Sequence, residues 1–314
     1  MPRTPPDRLP SRVALAASLA GLAGLAVVLT GCAGSGPAVK PGTRILVVAA
    51  ENFWGSIARQ LGGTKAEVRS VIVNPGTDPH SYQPTAGDAR LLAVSGMAIV
   101  NGIGYDRWAD QALAANPDPR RAVIDVGRLL GLGDGANPHQ WYSPGSLRRV
   151  VDAIAAGYAR LDPHDAAYFA ARRRALLTAG LARYDELRAE IRRRYPGVRV
   201  GYSESIFEPL GTDLGLTLAT PRSFAKAIAE GTDVTAADKQ TVDRQVATRQ
   251  IAVWVYNRQN VTPDVQRVNA GVRARHIPTV TITETLSPAG ASFEDWQDAQ
   301  LAALLGALRQ ATGR

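Results

Sequence analysis

Two short loops carry half of the four histidines in this chain, and they share one form. Asp78-Pro79-His80-Ser81-Tyr82-Gln83-Pro84 and Asn137-Pro138-His139-Gln140-Trp141-Tyr142-Ser143-Pro144 both read Pro-His-x-aromatic, with another Pro shortly after. Proline fixes φ and discourages helix, so each imidazole is presented from a loop at a strand-to-helix junction. The aromatic two residues on can pack beside it and limit water. The second half of the chain repeats a different element. Ser203-Glu204-Ser205 and Thr283-Glu284-Thr285 each set a glutamate between hydroxyl residues, directly after a strand-like run. Neutral imidazole and carboxylate together suit a divalent first-row metal: zinc, manganese or ferrous iron. Taken singly, a loop histidine is ordinarily a surface or hydrogen-bonded residue, and a glutamate after a strand an N-cap or ion-pair partner. The paired recurrence is what points to a four-residue metal site of His80, His139, Glu204 and Glu284. His164, at the start of a long helix, and His276, in a helix-to-strand turn, read as structural.

A second chemistry competes for the same segment. Gly201-Tyr202-Ser203-Glu204-Ser205 approaches the G-x-S-x-G nucleophile elbow, and Asp264 followed by His276 completes a Ser, Asp, His order. The alternative function is therefore a secreted α/β-hydrolase-like enzyme using Ser203. Against it, the Cβ of Ser205 crowds the strained turn, and both Pro-His loops stay unexplained.

The single cysteine sits in a distinctive place. Arg3, Arg8 and Arg12 precede a stretch from Val13 to Gly31 without charge, which reads as a secretory signal. It closes on Leu29-Thr30-Gly31-Cys32, a sequence that resembles the bacterial lipobox, so Cys32 is the expected lipid attachment. The competing readings are a buried free thiol and a membrane helix, for which the span is marginal against the roughly 20 residues required. Residues 1–31 then form a signal peptide and 32–42 a flexible tether. The mature protein is expected outside the cytoplasm, tethered to the outer face of the cell membrane.

These residues need elements to hold them. Apolar runs at 44–50, 68–73, 97–101 and 122–125 alternate with helical periods, and the pattern restarts with 198–202, 251–256 and 279–283. Such alternation predicts mostly parallel sheets covered on both faces. The fold class is α/β, with an N-terminal lobe over 43–164 and a C-terminal lobe over 197–314. Both glutamates then lie at C-terminal ends of parallel strands, where open α/β sheets bind ligands. Between the lobes, Leu177, Leu181, Tyr184, Leu187, Ile191 and Tyr195 recur at helical steps, predicting one long rigid helix over 165–196 that Pro196 terminates.

Composition closes off other classes. With 314 residues and 45% hydrophobic content the chain can bury real cores, which excludes wholesale disorder and a multi-span membrane protein. The formal charge is +8, carried by 32 Arg and only four Lys. The arginines look spread along the chain, a compositional bias rather than a polybasic patch, and the triplets at 172–174 and 192–194 read as solvated helix faces. No nucleic-acid partner is expected.

At the motifs quoted above, together with Val100-Asn101-Gly102-Ile103-Gly104-Tyr105-Asp106-Arg107-Trp108 and Thr283-Glu284-Thr285-Leu286, the sequence resembles the metal-binding lipoproteins of ATP-driven zinc and manganese importers, the cluster A-I or TroA-like solute-binding family. The resemblance covers essentially the whole mature chain. It implies two α/β lobes joined by a single rigid helix, one Zn²⁺ or Mn²⁺ ion as transported ligand in the cleft, an ABC permease as partner, a monomer and no enzymatic activity. His80 and His139 match the N-lobe ligands, and Glu204 and Glu284 the two C-lobe ligands. Zinc-specific members commonly place a third His where Glu204 stands and carry a His-rich loop, whereas no His occurs between 81 and 138 here. The fourth position is often Asp where this chain has Glu284. A carboxylate at 204 moves the site toward harder metals such as Mn²⁺, although raw affinity favours zinc. Affinity is expected to fall with acidification through the imidazole range around pH 6.5, and closure on binding to be small.

Overall fold

The computed structural model describes residues 44–77 and 82–314. Cys32, the signal and tether segments, and His80 lie outside the described residues.

The first sheet contains β1 (Ile45–Glu51), β2 (Ala66–Ile72), β3 (Met97–Val100) and β4 (Ala122–Asp125), in the order β2-β1-β3-β4, all parallel. The second contains β5 (Arg199–Tyr202), β6 (Thr217–Leu218), β7 (Val253–Asn257) and β8 (Thr279–Ile282), in the order β6-β5-β7-β8, again all parallel. The central strands of the first sheet are apolar up to Glu51 because both faces are covered: every residue of β3 is buried, and β1 has only Leu46 partly exposed. The two-residue β6 is too short to leave an apolar run, and sequence analysis misses it.

Twelve α-helices cover these sheets. In the first half they are α1 (Asn52–Gly62), α2 (Ala86–Ala93), α3 (Arg107–Ala115), α4 (Val126–Leu130) and α5 (Pro144–Leu161). Between the sheets run α6 (Ala166–Ala175) and α7 (Ala182–Arg194), and the second half adds α8 (Glu208–Asp213), α9 (Arg222–Ala229), α10 (Ala236–Ala247), α11 (Pro263–Ala274) and α12 (Phe293–Thr312). Hydroxyl caps start several of them. The side chains of Ser143, Thr235, Thr262 and Ser292 each accept the N–H three residues on, satisfying a donor the helix cannot.

The segment between the sheets is helical but not uniform. A single π-helical turn, Leu176–Gly180, separates α6 from α7, with Leu181 N–H reaching the carbonyl of Leu176 at 2.9 Å. Leu176 and Leu181, five apart, are both buried, and a π turn is what brings residues five apart onto one face. The buried seam therefore runs through Leu176, where the simple helical period selected Leu177. It continues through Tyr184, Leu187 and Ile191 to Tyr195.

One apolar core runs from the first sheet into the second. Phe53 stacks on Trp141 at 4.0 Å between ring centres, and Tyr142 packs on Trp296 of α12 at 5.6 Å. Polar bonds cross at the same level. Leu286 N–H donates to Asn52 Oδ1 at 3.1 Å, and Phe293 N–H donates to Ser56 Oγ at 3.0 Å. The two halves are thereby held at several points around the region where the expected ligands lie.

Candidate metal centre

Three neighbouring strands of the second sheet each deliver one polar residue to its C-terminal edge. Glu204 follows β5, Asn257 ends β7, and Glu284 follows β8. Because β7 lies between the other two, Asn257 stands between the carboxylates. Its Nδ2 donates to Glu204 Oε2 at 2.8 Å and to Glu284 Oε1 at 2.7 Å. The amide is itself fixed, since Oδ1 accepts from Gln259 N–H at 3.0 Å and the Asn257 N–H donates to Ser203 Oγ at 3.1 Å. Gln259 also braces the Glu284 loop by accepting Thr285 N–H at 3.1 Å.

His139 comes from the other half. Asn137 Nδ2 donates to the Ser205 carbonyl at 2.7 Å, which identifies Oδ1 as the acceptor on its other side. That oxygen takes the His139 backbone N–H at 3.0 Å and faces Nδ1 at 2.8 Å. An amide oxygen can only accept, so Nδ1 carries the ring proton and the Nε2 lone pair is turned toward the carboxylates. Nε2 lies 3.4 Å from Glu284 Oε2 and 3.7 Å from Glu204 Oε1. The preceding Pro138 carbonyl accepts from Asn101 Nδ2 at 2.9 Å, and Asn101 Oδ1 accepts from Trp54 Nε1 at 3.1 Å. Trp141, two residues beyond the histidine, lies edge-on to the imidazole at 5.2 Å. The aromatic of the Pro-His-x-aromatic form therefore does shield the ring.

A tight loop after β3 brings one more group. Gly102, Ile103 and Gly104 have φ of 65°, 58° and 77°, and a Cβ on Gly102 would stand 2.6 Å from Asp125 Oδ1. The loop is clamped by Asp106, whose carboxylate takes the Asn101 and Gly102 N–H groups at 2.7 and 2.8 Å. It presents the Tyr105 hydroxyl, which donates to Glu284 Oε2 at 2.9 Å.

His139, Glu204 and Glu284 thus offer ligand atoms all within 4.8 Å of one another, with each residue 1% exposed or less. Ligand atoms bonded to one ion at about 2.1 Å, at tetrahedral angles, stand about 3.4 Å apart. The observed spacings fit that description. Glu204 Oε1 accepts no hydrogen bond among the described residues. Of the four residues singled out in the sequence, the structure brings these three together, and His80 lies outside the described residues.

Burial sets the charges. It holds the His139 imidazole down at about 4, against the pull of Glu204, so the ring is neutral at any ordinary pH. It pushes the Glu204 carboxyl up to about 8, and the adjacent Glu284 charge adds to the shift. At neutral pH the carboxylate pair therefore holds a proton when no cation is bound. Among the described residues, proton competition at this site belongs to a carboxylate near pH 8, where sequence reasoning placed it on imidazole near 6.5. Glu51, at the end of β1, is a further buried carboxyl pushed well above its usual range, first by burial and then by Asp106.

The hydrolase arrangement does not assemble. Ser203 follows β5 at the C-terminal edge of the sheet, whereas His276 precedes β8 at the opposite edge, one strand length or about 13 Å away. Asp264 is occupied by Lys239 at 2.9 Å and Arg267 at 3.3 Å on the surface. His164 is exposed beside Asp165, whose carboxylate pairs with Lys65 at 2.6 Å.

Asn137, Asn101 and Tyr105 fall inside segments quoted in the sequence analysis but were given no function there, and Asn257 lay in none of them. The signal for those three was the motif around them, whereas Asn257 is marked only by ending the strand that the fold places between β5 and β8.

Two parallel α/β sheets meet over a buried His and two Glu, a donor set that could hold a metal ion. The chain belongs to the ZnuA family, described as zinc-uptake complex component A, periplasmic, whose family model matches residues 47–307. It is similar to the manganese-binding lipoprotein MntA of Halalkalibacterium halodurans, at 23% identity over 159 residues, covering 49% of this chain and 52% of that protein. It is also similar to the manganese ABC transporter substrate-binding lipoprotein PsaA of Streptococcus pneumoniae, at 30% identity over 157 residues, covering 46% and 50%. The chain spans about half the length of these curated relatives. Among solved structures, a Mn-bound S38A mutant of a periplasmic metal-binding protein from Candidatus Liberibacter asiaticus has a TM-score of 0.71 at 17% identity, covering 84% of this chain and all of that one. FpvC from Pseudomonas aeruginosa in complex with Mn²⁺ gives 0.69 at 20%, covering 86% and 100%. At such identities the likeness shows the fold. No helix among the described residues is long and apolar enough to cross a membrane.

Proposed function

We propose that this chain is the extracytoplasmic solute-binding lipoprotein of an ABC importer, capturing one Zn²⁺ or Mn²⁺ ion and delivering it to a permease. The observation that carries the reading is the convergence of His139 Nε2 with oxygens of Glu284 and Glu204 at 3.4 and 3.7 Å, at a sheet edge between the two halves. His80 is the fourth ligand in this proposal. Cys32 is the lipid attachment left after removal of residues 1–31, 32–42 the tether, and the working molecule a monomer with no enzymatic activity of its own. Lobes over 43–164 and 197–314 meet along the helical segment 165–196.

The chemistry follows from the buried charges. An arriving ion displaces the proton shared by the Glu204 and Glu284 pair, and its two positive charges balance two carboxylates that burial otherwise disfavours. Neutral His139 adds a nitrogen without adding charge. Oxygen-rich ligation with Glu204 admits Mn²⁺, while zinc binds more tightly at almost any such site. Metal supply thus selects the cargo along with the protein. The bonds that tie Asn52 and Ser56 to the Glu284 side leave little room for wide hinge opening, so uptake requires only loop adjustment.

Elemental analysis of the untagged chain from residue 33 onward, after metal reloading, tests the reading. One ion per chain is expected, with Glu204→His raising the Zn²⁺ over Mn²⁺ preference in competition. Absence of any stoichiometric metal would overturn it.

A further inference from the structure

The net charge that looks spread along the sequence is gathered by the fold at one end. Residues 44–314 hold 32 Lys and Arg against 27 Asp and Glu. In a parallel sheet the covering helices run back against the strands, so α7, α10, α11 and α12 all finish near the edge where β5, β7 and β8 begin. Most of these helices finish in arginine. α7 ends in the triplet 192–194, and β5 then opens on Arg199. Arg249 follows α10, Arg273 and Arg275 close α11, and α12 closes with Arg309, with Arg314 just beyond it. Among the described residues, the carboxylates paired with these nine arginines are Glu190 and Asp213. This edge of the second half alone exceeds the net charge of the whole described body, and the rest of the chain is slightly acidic in sum.

A basic residue at each helix C-terminus is the ordinary complement to the helix dipole. That accounts for about one cation per helix, and the excess remains. Among the described residues, Arg193, Arg199, Arg249, Arg273 and Arg275 have no carboxylate within 4.0 Å, whereas elsewhere about half of the arginines are paired. A concavity of about 530 Å³ opens in this patch, lined by Arg199, Arg249, His276 and Gln310. Arg249 and His276 both adopt left-handed backbone, φ 51° and 52°, at helix ends where glycine is the favoured residue. Both side chains therefore stand at positions that cost backbone strain.

We propose that this arginine-rich end docks on a membrane surface bearing anionic phospholipid headgroups. Guanidinium groups pair with phosphate oxygens in bidentate fashion, and several spread around a concavity match an array of headgroups better than one small ligand. The large exposed apolar side chains of the described residues are Val73, Val94, Val123 and Val261, none of them at this end and none aromatic. Contact is then electrostatic, without insertion, and base stacking on nucleic acid has no platform. The proposal stands apart from the metal site. It leans on the lipoprotein reading only for the source of the anion, since a tether of about a dozen residues reaches at most about 40 Å and keeps the body within reach of its membrane.

Flotation with vesicles tests it, using the chain from residue 32 onward with Cys32→Ser so that no acyl chain contributes. Binding is expected to phosphatidylglycerol vesicles and not to phosphatidylcholine, weakening several-fold as salt screens the contact. Reversal at Arg249→Glu, Arg273→Glu and Arg275→Glu should cost about fivefold per residue, on the order of a hundredfold together. Lysine at the same three positions should retain binding, and metal stoichiometry should be unchanged in both variants. Equal binding to both lipids, binding unaffected by charge reversal, or retention by a soluble polyanion such as DNA with none by vesicles would each overturn the proposal. Acylation of Cys32, read by mass spectrometry on the full chain, fails or succeeds independently of these outcomes.

Discussion

Tyr105 and Glu284 lie 179 positions apart and are joined by a 2.9 Å hydrogen bond that ties a loop of the first half to the carboxylate edge of the second. The oxygen that accepts it, Oε2, is the one facing His139 at 3.4 Å. The hydroxyl therefore fixes which lone pair of Glu284 is left toward the imidazole.

Tyr105→Phe keeps the buried ring and removes only this donor. A hydrogen bond to a charged acceptor contributes about 1.5–3 kcal/mol, and part of that orients the carboxylate for the ion. Metal affinity should fall about tenfold in calorimetric titration, with the fold intact by circular dichroism. An unchanged affinity would show that Glu284 is held without the tyrosine.

Asn257 bridges both carboxylates, so its loss is felt most when no cation is present. Asn257→Ala should lower the melting temperature of the metal-free protein by several degrees, in keeping with loss of two buried hydrogen bonds at roughly 1–3 kcal/mol each. Saturating Mn²⁺ should recover a good part of the loss, because the ion then screens the two charges. Equal losses with and without metal would argue that Asn257 serves only the strand.

The pH dependence has a definite sign. Glu204, pushed to about 8 by burial and Glu284, must lose its proton before it can bind a cation. Apparent affinity should therefore rise by up to tenfold per pH unit up to about 8 and level off above. His139, held at about 4, adds nothing in that range. Stability of the metal-free protein moves the other way. The folded state holds a proton on Glu204 that the unfolded chain loses near 4.5, so this contribution is present at low pH and fades as pH rises toward 8. His139 acts oppositely but only between about 4 and 6.5. Melting of the metal-free protein should consequently decline from pH 6.5 to 8, and an affinity that is flat over the same interval would contradict this account.

The residues that carried the sequence reading were those with a repeated local signature. His139, Glu204 and Glu284 stood out because Pro-His-x-aromatic and a hydroxyl-flanked Glu each occur twice, and strand position is legible from short apolar runs. Asn257 was not, because an asparagine at a strand end is common and its importance comes from the strand order β5-β7-β8, a non-local fact. The two helices over 166–194 were legible as one amphipathic stripe, yet the choice of Leu176 over Leu177 depends on a widened turn that a 3.6-residue period cannot represent. Charge was the largest misreading. A linear count sees arginines spread along the chain, and only the common direction of the helices shows that the unbalanced ones of the second half lie near one edge. Cys32 and His80 keep the roles the sequence proposes, as proposals.

The π turn at Leu176–Gly180 has a consequence for how this chain can change over generations. Winding the same residues there as ordinary α-helix, with none removed, would rotate everything downstream by about 100°. Tyr184, Leu187 and Ile191 would swing out of their seats together, and the second sheet would turn with them. The turn acts as a one-tooth index between the halves. Deleting one residue within the turn would instead leave Leu176 and Leu181 four apart on one face of a plain α-helix, so single-residue deletions in homologous chains should fall at this turn and be excluded from the rest of α6 and α7.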